Sequence, residues 1–247
     1  MPLLSIIRDV CAEVGVEIPT AVIPGISSSR TMQEMLALAN EMAQRIAYNT
    51  SDWTRLKTVA EFSGDGVTTA FNLPADYKRM PITSNVWRSS TSQHPMRFIA
   101  NHDEWLRRRM ANTTDSLGEW TMLGGQMHVY PVMDVGTKAT FSYLQRNCVA
   151  LFSGGFGDTF MNDADRFVLD ERVLKLGIIW QWVAKKGGPY TESMGTYGDA
   201  LVIEIGADGP KPVIVGRQPI SAGARAAYPY SLSGPDWPLS GSVGPSP

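Results

Sequence analysis

The sequence predicts an α+β chain: helices from both ends form a bundle, an antiparallel β domain is inserted between them, and an extended arm follows. Three observations predict it. Apolar residues recur at helical spacing through the first 53 residues and again from about 170 to 205. The stretch between shows short alternating runs separated by glycine-rich turns. Half of the final segment, Pro210–Pro247, is Pro, Gly or Ser. Helical ends around a run of strands point to segregated layers rather than βαβ units. The resulting divisions are 1–53 and 166–208 for the helical domain, 54–165 for the β domain and 209–247 for the arm.

Leu3, Leu4, Ile7, Val10 and Val14 form one helical stripe, and Gly15 is its stop. A turn-rich stretch through Pro19, Pro24 and Ser27–Ser29 leads to a second helix. Thr31 is its expected cap, with Glu34 as capping-box partner, and Met35, Leu38, Met42, Ile46 and Trp53 line its face. Residues 55–62 and 67–73 flank Gly64-Asp65-Gly66, which reads as a hairpin. Ile82–Arg88 reads as a strand and His102–Met110 as a short helix within the β domain. Glu119–Met122 and Gln126–Tyr130 surround Gly124-Gly125, the clearest two-residue turn, and Thr140–Gln145 adds a strand. A helix from Asp170 to Lys186 carries Leu169, Val173, Leu176, Trp180 and Val183 in one stripe, with Leu174, Ile178 and Trp182 beside it. Gly187-Gly188-Pro189 ends it. A weaker helix, Thr191 to Ile205, runs through Met194, Tyr197, Leu201 and Val202. The arm lacks the apolar area to offset its ordering entropy and is expected to be disordered alone.

Composition narrows the function. The formal net charge is -2, without the basic excess of a dedicated nucleic-acid binder. The arm carries Lys211, Arg217 and Arg225 against Asp236, so the body is the more acidic part. No apolar run reaches the length of a membrane span, and the N-terminal stretch does not read as a signal peptide. Two cysteines, Cys11 and Cys148, fit a reducing compartment and cannot build a disulfide scaffold. His94, His102 and His128 lack metal-ligand spacing, and no cofactor motif is present. Gly154-Gly155-Phe156-Gly157 lacks the lysine of a phosphate loop and reads as a flexible connector. Asp158, Asp163, Asp165, Asp170 and Glu171 fail the calcium-loop pattern and read as favourable charge near a helix N-terminus. No nucleophile–base pair is evident, so no enzymatic activity is expected.

Candidate partner-binding residues fall in two places. Arg107, Arg108 and Arg109 point in different directions from one helix, as a solvated, partner-facing surface would. In the arm, Val213, Ile214, Val215, Tyr228, Tyr230 and Trp237 are more apolar anchors than a spacer needs. The apolar load of Ile178, Ile179, Trp180 and Trp182 exceeds what one side of a lone helix buries, which suggests a further packing surface between copies.

Three stretches carry a family resemblance. They are Gly64-Asp65-Gly66 with Thr69–Tyr77, Trp120–Pro131 followed by Phe141-Ser142-Tyr143, and Leu169–Trp182 followed by Lys185–Tyr190. In this order, after a helical N-terminus, they resemble bacteriophage head-to-tail adaptor (connector) proteins, also called tail tubular protein A. The resemblance spans residues 3 to about 205. It implies a structural virion protein: a homo-oligomeric ring, usually dodecameric, in the neck between the portal and the tail nozzle or tube. Such a ring closes the packaged head and gives double-stranded DNA a transient axial passage during ejection. The protein would reside in the virion, and in host cytoplasm during viral tail assembly, with no catalytic residue, metal or cofactor and no membrane partner. The long proline-rich end departs from many members. Two other readings compete: a tail-fibre or baseplate binding module, which would show repeats or heptads, and a virion-associated hydrolase, which needs opposed carboxylates. Only Asp103 with Glu104, or Asp163 with Asp165, are loosely suitable pairs.

Overall fold

The computed structural model describes residues 1–23, 29–81, 83–91 and 94–209. The predicted arm, with all its candidate anchors, lies outside the described residues. The fold is mixed α+β, with five helices and three sheets among the described residues: α1 Leu3–Val14, α2 Arg30–Asn49, α3 His102–Met110, α4 Glu171–Lys185 and α5 Thr191–Asp208.

Helix α4 is the hub of the helical region, because α1, α2 and α5 all pack on it. Its Leu174 and Ile178 are fully buried, with Leu3, Ile7 and Val10 of α1 and Met35, Met42 and Ile46 of α2 in the same cluster. Gly177 permits the close crossings: a Cβ there would lie 2.4 Å from Met42 Cε and 3.3 Å from the Tyr197 ring. The apolar surplus on α4 is therefore consumed inside the chain, which removes it as a sign of contact between copies. Ile179 and Trp182 are buried, and Trp180 packs against Tyr190, Tyr197 and the Arg45 guanidinium.

Helix ends follow local chemistry. Gly15 takes φ 71° and returns its N–H to Cys11, closing α1. Asp170 caps α4 by accepting from the Val173 amide at 2.8 Å. Helix α2 is capped by Ser29, which accepts from the Met32 amide, and not by Thr31. Glu34, the expected capping-box partner, instead faces Lys186 at 2.9 Å and Arg30 at 3.2 Å. These cations hold its carboxyl below the usual range, the Lys186 hydrogen bond first among causes.

The strands are β1 Lys57–Ser63, β2 Ala70–Asn72, β3 Tyr77–Arg79, β4 Trp87–Arg88, β5 Arg97–Phe98, β6 Glu119–Leu123, β7 Gln126–Tyr130, β8 Lys138–Gln145, β9 Val149–Ala150, β10 Phe156–Gly157 and β11 Arg166–Phe167. They form sheets in the orders β1-β8-β3, with β4 also on β8, then β2-β7-β6-β5, and β10-β9-β11. All pairs are antiparallel except β5 with β6. The Gly124-Gly125 turn closes the β6–β7 hairpin as expected, with φ of 62° and 77°.

The hairpin expected at Gly64-Asp65-Gly66 does not form. Strand β1 pairs with β8 from Lys57↔Leu144 to Ser63↔Lys138, while β2 pairs with β7. The turn passes the chain from one sheet to another. Gly64 makes that passage possible, since a Cβ would sit 2.5 Å from the Asp134 carbonyl. Asp65 fixes it by accepting from the Val67 and Thr68 amides and the Thr68 hydroxyl. The strand expected over Ile82–Arg88 shrinks to Trp87–Arg88; Ile82 lies outside the described residues. Gly154-Gly155, expected as a flexible connector, is the φ-positive turn of a small β9–β10 hairpin.

Buried residues form two clusters. The first gathers the helices with Val149 and Phe167, and the second gathers Val86, Met96, Trp120, Met127, Val129, Met133 and Phe141. Strand β8 serves both: Phe141 and Tyr143 lie in the second cluster and Leu144 in the first.

Candidate functional site

The residues that most suggested chemistry have structural work. Asp165, only 1% exposed, accepts from the amides of Phe152, Met161 and Asn162 at 2.7–2.8 Å. Asp163 accepts from the Val22 and Ile23 amides. The carbonyls of these two aspartates receive the Leu3 and Leu4 amides, two of the orphan donors that open α1. Asp158 pairs with Arg146 at 3.1 Å. Sequence reading placed this acidic run beside the α4 N-terminus as favourable charge. Asp170 serves that end, whereas Asp163 and Asp165 tie loops to α1. Among the described residues, no group of three or more His, Cys, Asp or Glu could hold a metal ion. Both thiols are buried. Burial pushes Cys148 up to about 11 and raises Cys11 as well, so neither is a ready nucleophile.

The three arginines on α3 have different fates. Arg107 is exposed. Arg108 reaches Glu104 at 2.9 Å and the fully buried Glu119 of β6 at 2.5 Å, pinning α3 to the sheet. These carboxylates hold its guanidinium above its ordinary value, the Glu104 hydrogen bond first. The Arg109 guanidinium lies over the Tyr130 ring at 4.9 Å and the Trp105 ring at 5.9 Å. Asn101 caps the helix by accepting from Asp103 and Glu104. A carboxylate pair on one first turn is not opposed across a cleft.

Several open surfaces carry exposed apolar residues. On α5, Val202 and Ile203 are 70% and 65% exposed, and Met194 is exposed too. Gly195, Gly198 and Gly206 lie on the same helix, and a Cβ at any of them would meet no other element among the described residues. All four charged residues of α5, Glu192, Asp199, Glu204 and Asp208, are acidic. The sequence reads this segment as a weaker helix through Met194, Tyr197, Leu201 and Val202; only Tyr197 and Ala200 of this helix are buried. A second opening is a groove of about 480 Å³ between the sheets, floored by Trp120 and Met122 and edged by Tyr77, Met80 and an exposed Phe98. Phe152, Phe156 and Met161 are exposed on and after the β9–β10 hairpin. Alternation alone missed these, because strands of two or three residues carry no period. No helix among the described residues is long and apolar enough to cross a membrane. No protein-family model matches the chain, and no curated protein matches it.

Proposed function

We propose that this chain is a non-enzymatic virion protein, a head-to-tail adaptor whose copies form a ring between a phage portal and its tail. On this reading the two buried clusters are a helical body and its inserted β domain, and the ring gives DNA its axial passage. The observation that carries the proposal is the ordered resemblance itself. Its three stretches fall on joints of the scaffold: the Gly64–Gly66 crossover, the Gly124-Gly125 hairpin and the hub helix α4 with its glycine stop. Residues that build joints specify a shape, which is what an assembly part needs.

The outward face of α5 is the ring contact in this proposal. A glycine inside a helix costs about 1 kcal/mol relative to alanine, and three of them here gain no packing among the described residues. A neighbouring subunit approaching closely would use that smooth face, with Val202 and Ile203 as its apolar part. Ring contacts are heterologous, so this patch meets a different patch on the next copy. The acidic balance of the body leaves a passing DNA backbone unbound, whereas a basic wall would hold it. The arm, through Val213, Ile214, Val215, Tyr228, Tyr230 and Trp237, is assigned to the portal, and the exposed Arg107 to the tail side or a neighbour.

The test adds purified chain to portal-bearing, tail-free heads. Wild-type protein should attach as closed rings. Val202→Lys with Ile203→Lys should keep the circular dichroism and melting of the parent and fail to close rings. Truncation after Gly209 should leave a folded chain that no longer attaches stably. Heads left bare by the wild-type protein would contradict the proposal.

A further inference from the structure

Strand β1 is the longest strand with a free edge among the described residues. Its seven residues pair with β8 in unbroken register, and among the described residues no strand pairs with its other edge, while Phe62 stacks on Phe71 of β2 across one face. An edge of this length presents a row of unpaired N–H and C=O groups, which proteins ordinarily blunt with proline, a bulge or a covering element. Among the described residues strand β1 has no proline, bulge or covering strand, and Lys57 and Glu61 are its only charges. Its side chains alternate cleanly: Ala60 is buried with Thr58 and Phe62 half-buried on one face, while Lys57, Val59, Glu61 and Ser63 are exposed on the other. Val59 is 64% exposed.

The exposed face is self-complementary. Turning the strand antiparallel on itself about Val59 sets Lys57 opposite Glu61 twice and Val59 opposite Val59, all on one face. Opposite charges and β-branched residues directly across a ladder are the favourable pairings, and like charges the unfavourable ones. Shifting the two-fold to Ala60 loses both ion pairs and sets Lys57 opposite Ser63, so charge selects one register. Lys138 already lies 2.7 Å from Glu61 from the β8 side, and the second copy's lysine would approach from the open side.

We propose that the free edge of β1 pairs antiparallel with β1 of a second copy of this chain, in the register centred on Val59. The contact is isologous, whereas a closed ring uses heterologous contacts, so it stands apart from the adaptor reading and holds copies in pairs outside the ring. A single strand pairing buries little surface, so the pair is weak and concentration-dependent.

Cross-linking tests the register directly in the full chain. In this register two copies of residue 59 face each other at disulfide distance. Two copies of residue 57 are offset by four residues, about 14 Å along the strand. Cys11 and Cys148 are buried and serve as the parent background. Under mild oxidation Val59→Cys should form covalent dimer about ten-fold faster than Lys57→Cys, as its direct cross-strand placement requires. The double variant Lys57→Cys/Glu61→Cys should recover dimer formation. Sedimentation of the parent should show dimer rising with concentration, and Lys57→Glu should abolish it. Equal rates for the two single cysteine variants, or a parent that stays monomeric at every concentration, would overturn the proposal. Neither result bears on whether heads acquire rings.

Discussion

The helical region and the β region of this chain are held by different physics. The helices share one apolar cluster around α4, closed by a glycine contact at Gly177 and by ordinary caps. The β region has short strands, four of the eight in its two four-stranded sheets being two or three residues long, and a smaller apolar cluster. Its strands are joined to α3 and to one another by individual polar joints: Arg108 on buried Glu119, Asp65 on its own turn, Tyr143 on Asp76 at 2.8 Å. Apolar packing is distributed and indifferent to salt and pH. Polar joints are local, and each can be cut alone.

The largest effect belongs to the helical cluster. Leu174→Ala should cost about 4 kcal/mol, since a fully buried leucine leaves a cavity at the hub of three helices. Urea unfolding at low and high salt should give the same loss. A salt-dependent loss would break the contrast. Glu119→Ala should come next, at about 2 kcal/mol, because a buried charge-assisted hydrogen bond is lost while Arg108 keeps Glu104. Replacing both partners, Arg108→Met with Glu119→Met, should return much of that stability. Hydrogen exchange in α3 and β6 should rise in the single variant while α1 and α4 stay protected.

These two outcomes also explain what could be read from the sequence. Leu174 lies on a period that the chain repeats for four turns, so α4, its glycine stop and its burial were all legible. The Gly124-Gly125 hairpin was legible for the same reason: both strands and the turn are adjacent in sequence. The partner of β1 was not, because Lys57 meets Leu144 across most of the inserted region. Gly64-Asp65-Gly66 carries a hairpin's composition, and only the proximity of Met133 and Asp134 turns it into a crossover. Arg108 was legible as a cation but not as the partner of a glutamate eleven residues on. The open face of α5 was not legible, because Val202 sits at helical spacing and nothing local marks it as uncovered.

Smaller effects sharpen the comparison. Gly124→Ala should cost about 1 kcal/mol through its positive φ alone, since open space surrounds it. Gly198→Ala should raise the melting temperature of the free chain, by about 1 kcal/mol of helix preference, while lowering ring closure on heads. Stabilisation without a ring defect would remove α5 as the subunit contact.

The smallest effect is a titration. Asp65 is held down to about 2 from 3.8, first by the Thr68 hydroxyl and then by the Thr68 and Val67 amides. Its folded value lies below its unfolded value, so its contribution is present above about pH 4 and is lost as pH falls toward 2. Carboxylate chemical shifts should place its midpoint near 2, and Asp65→Ala should flatten this part of the acid-stability profile. A midpoint near 4 would mean the crossover turn is not fixed by that side chain.

The adaptor reading is tested most directly by reconstruction of a virion neck at a resolution that traces side chains. The account predicts a closed ring of this chain directly below the portal, with the α5 face carrying Val202 and Ile203 buried between adjacent copies. A neck without such a ring, or this chain found in a fibre or baseplate instead, would contradict it.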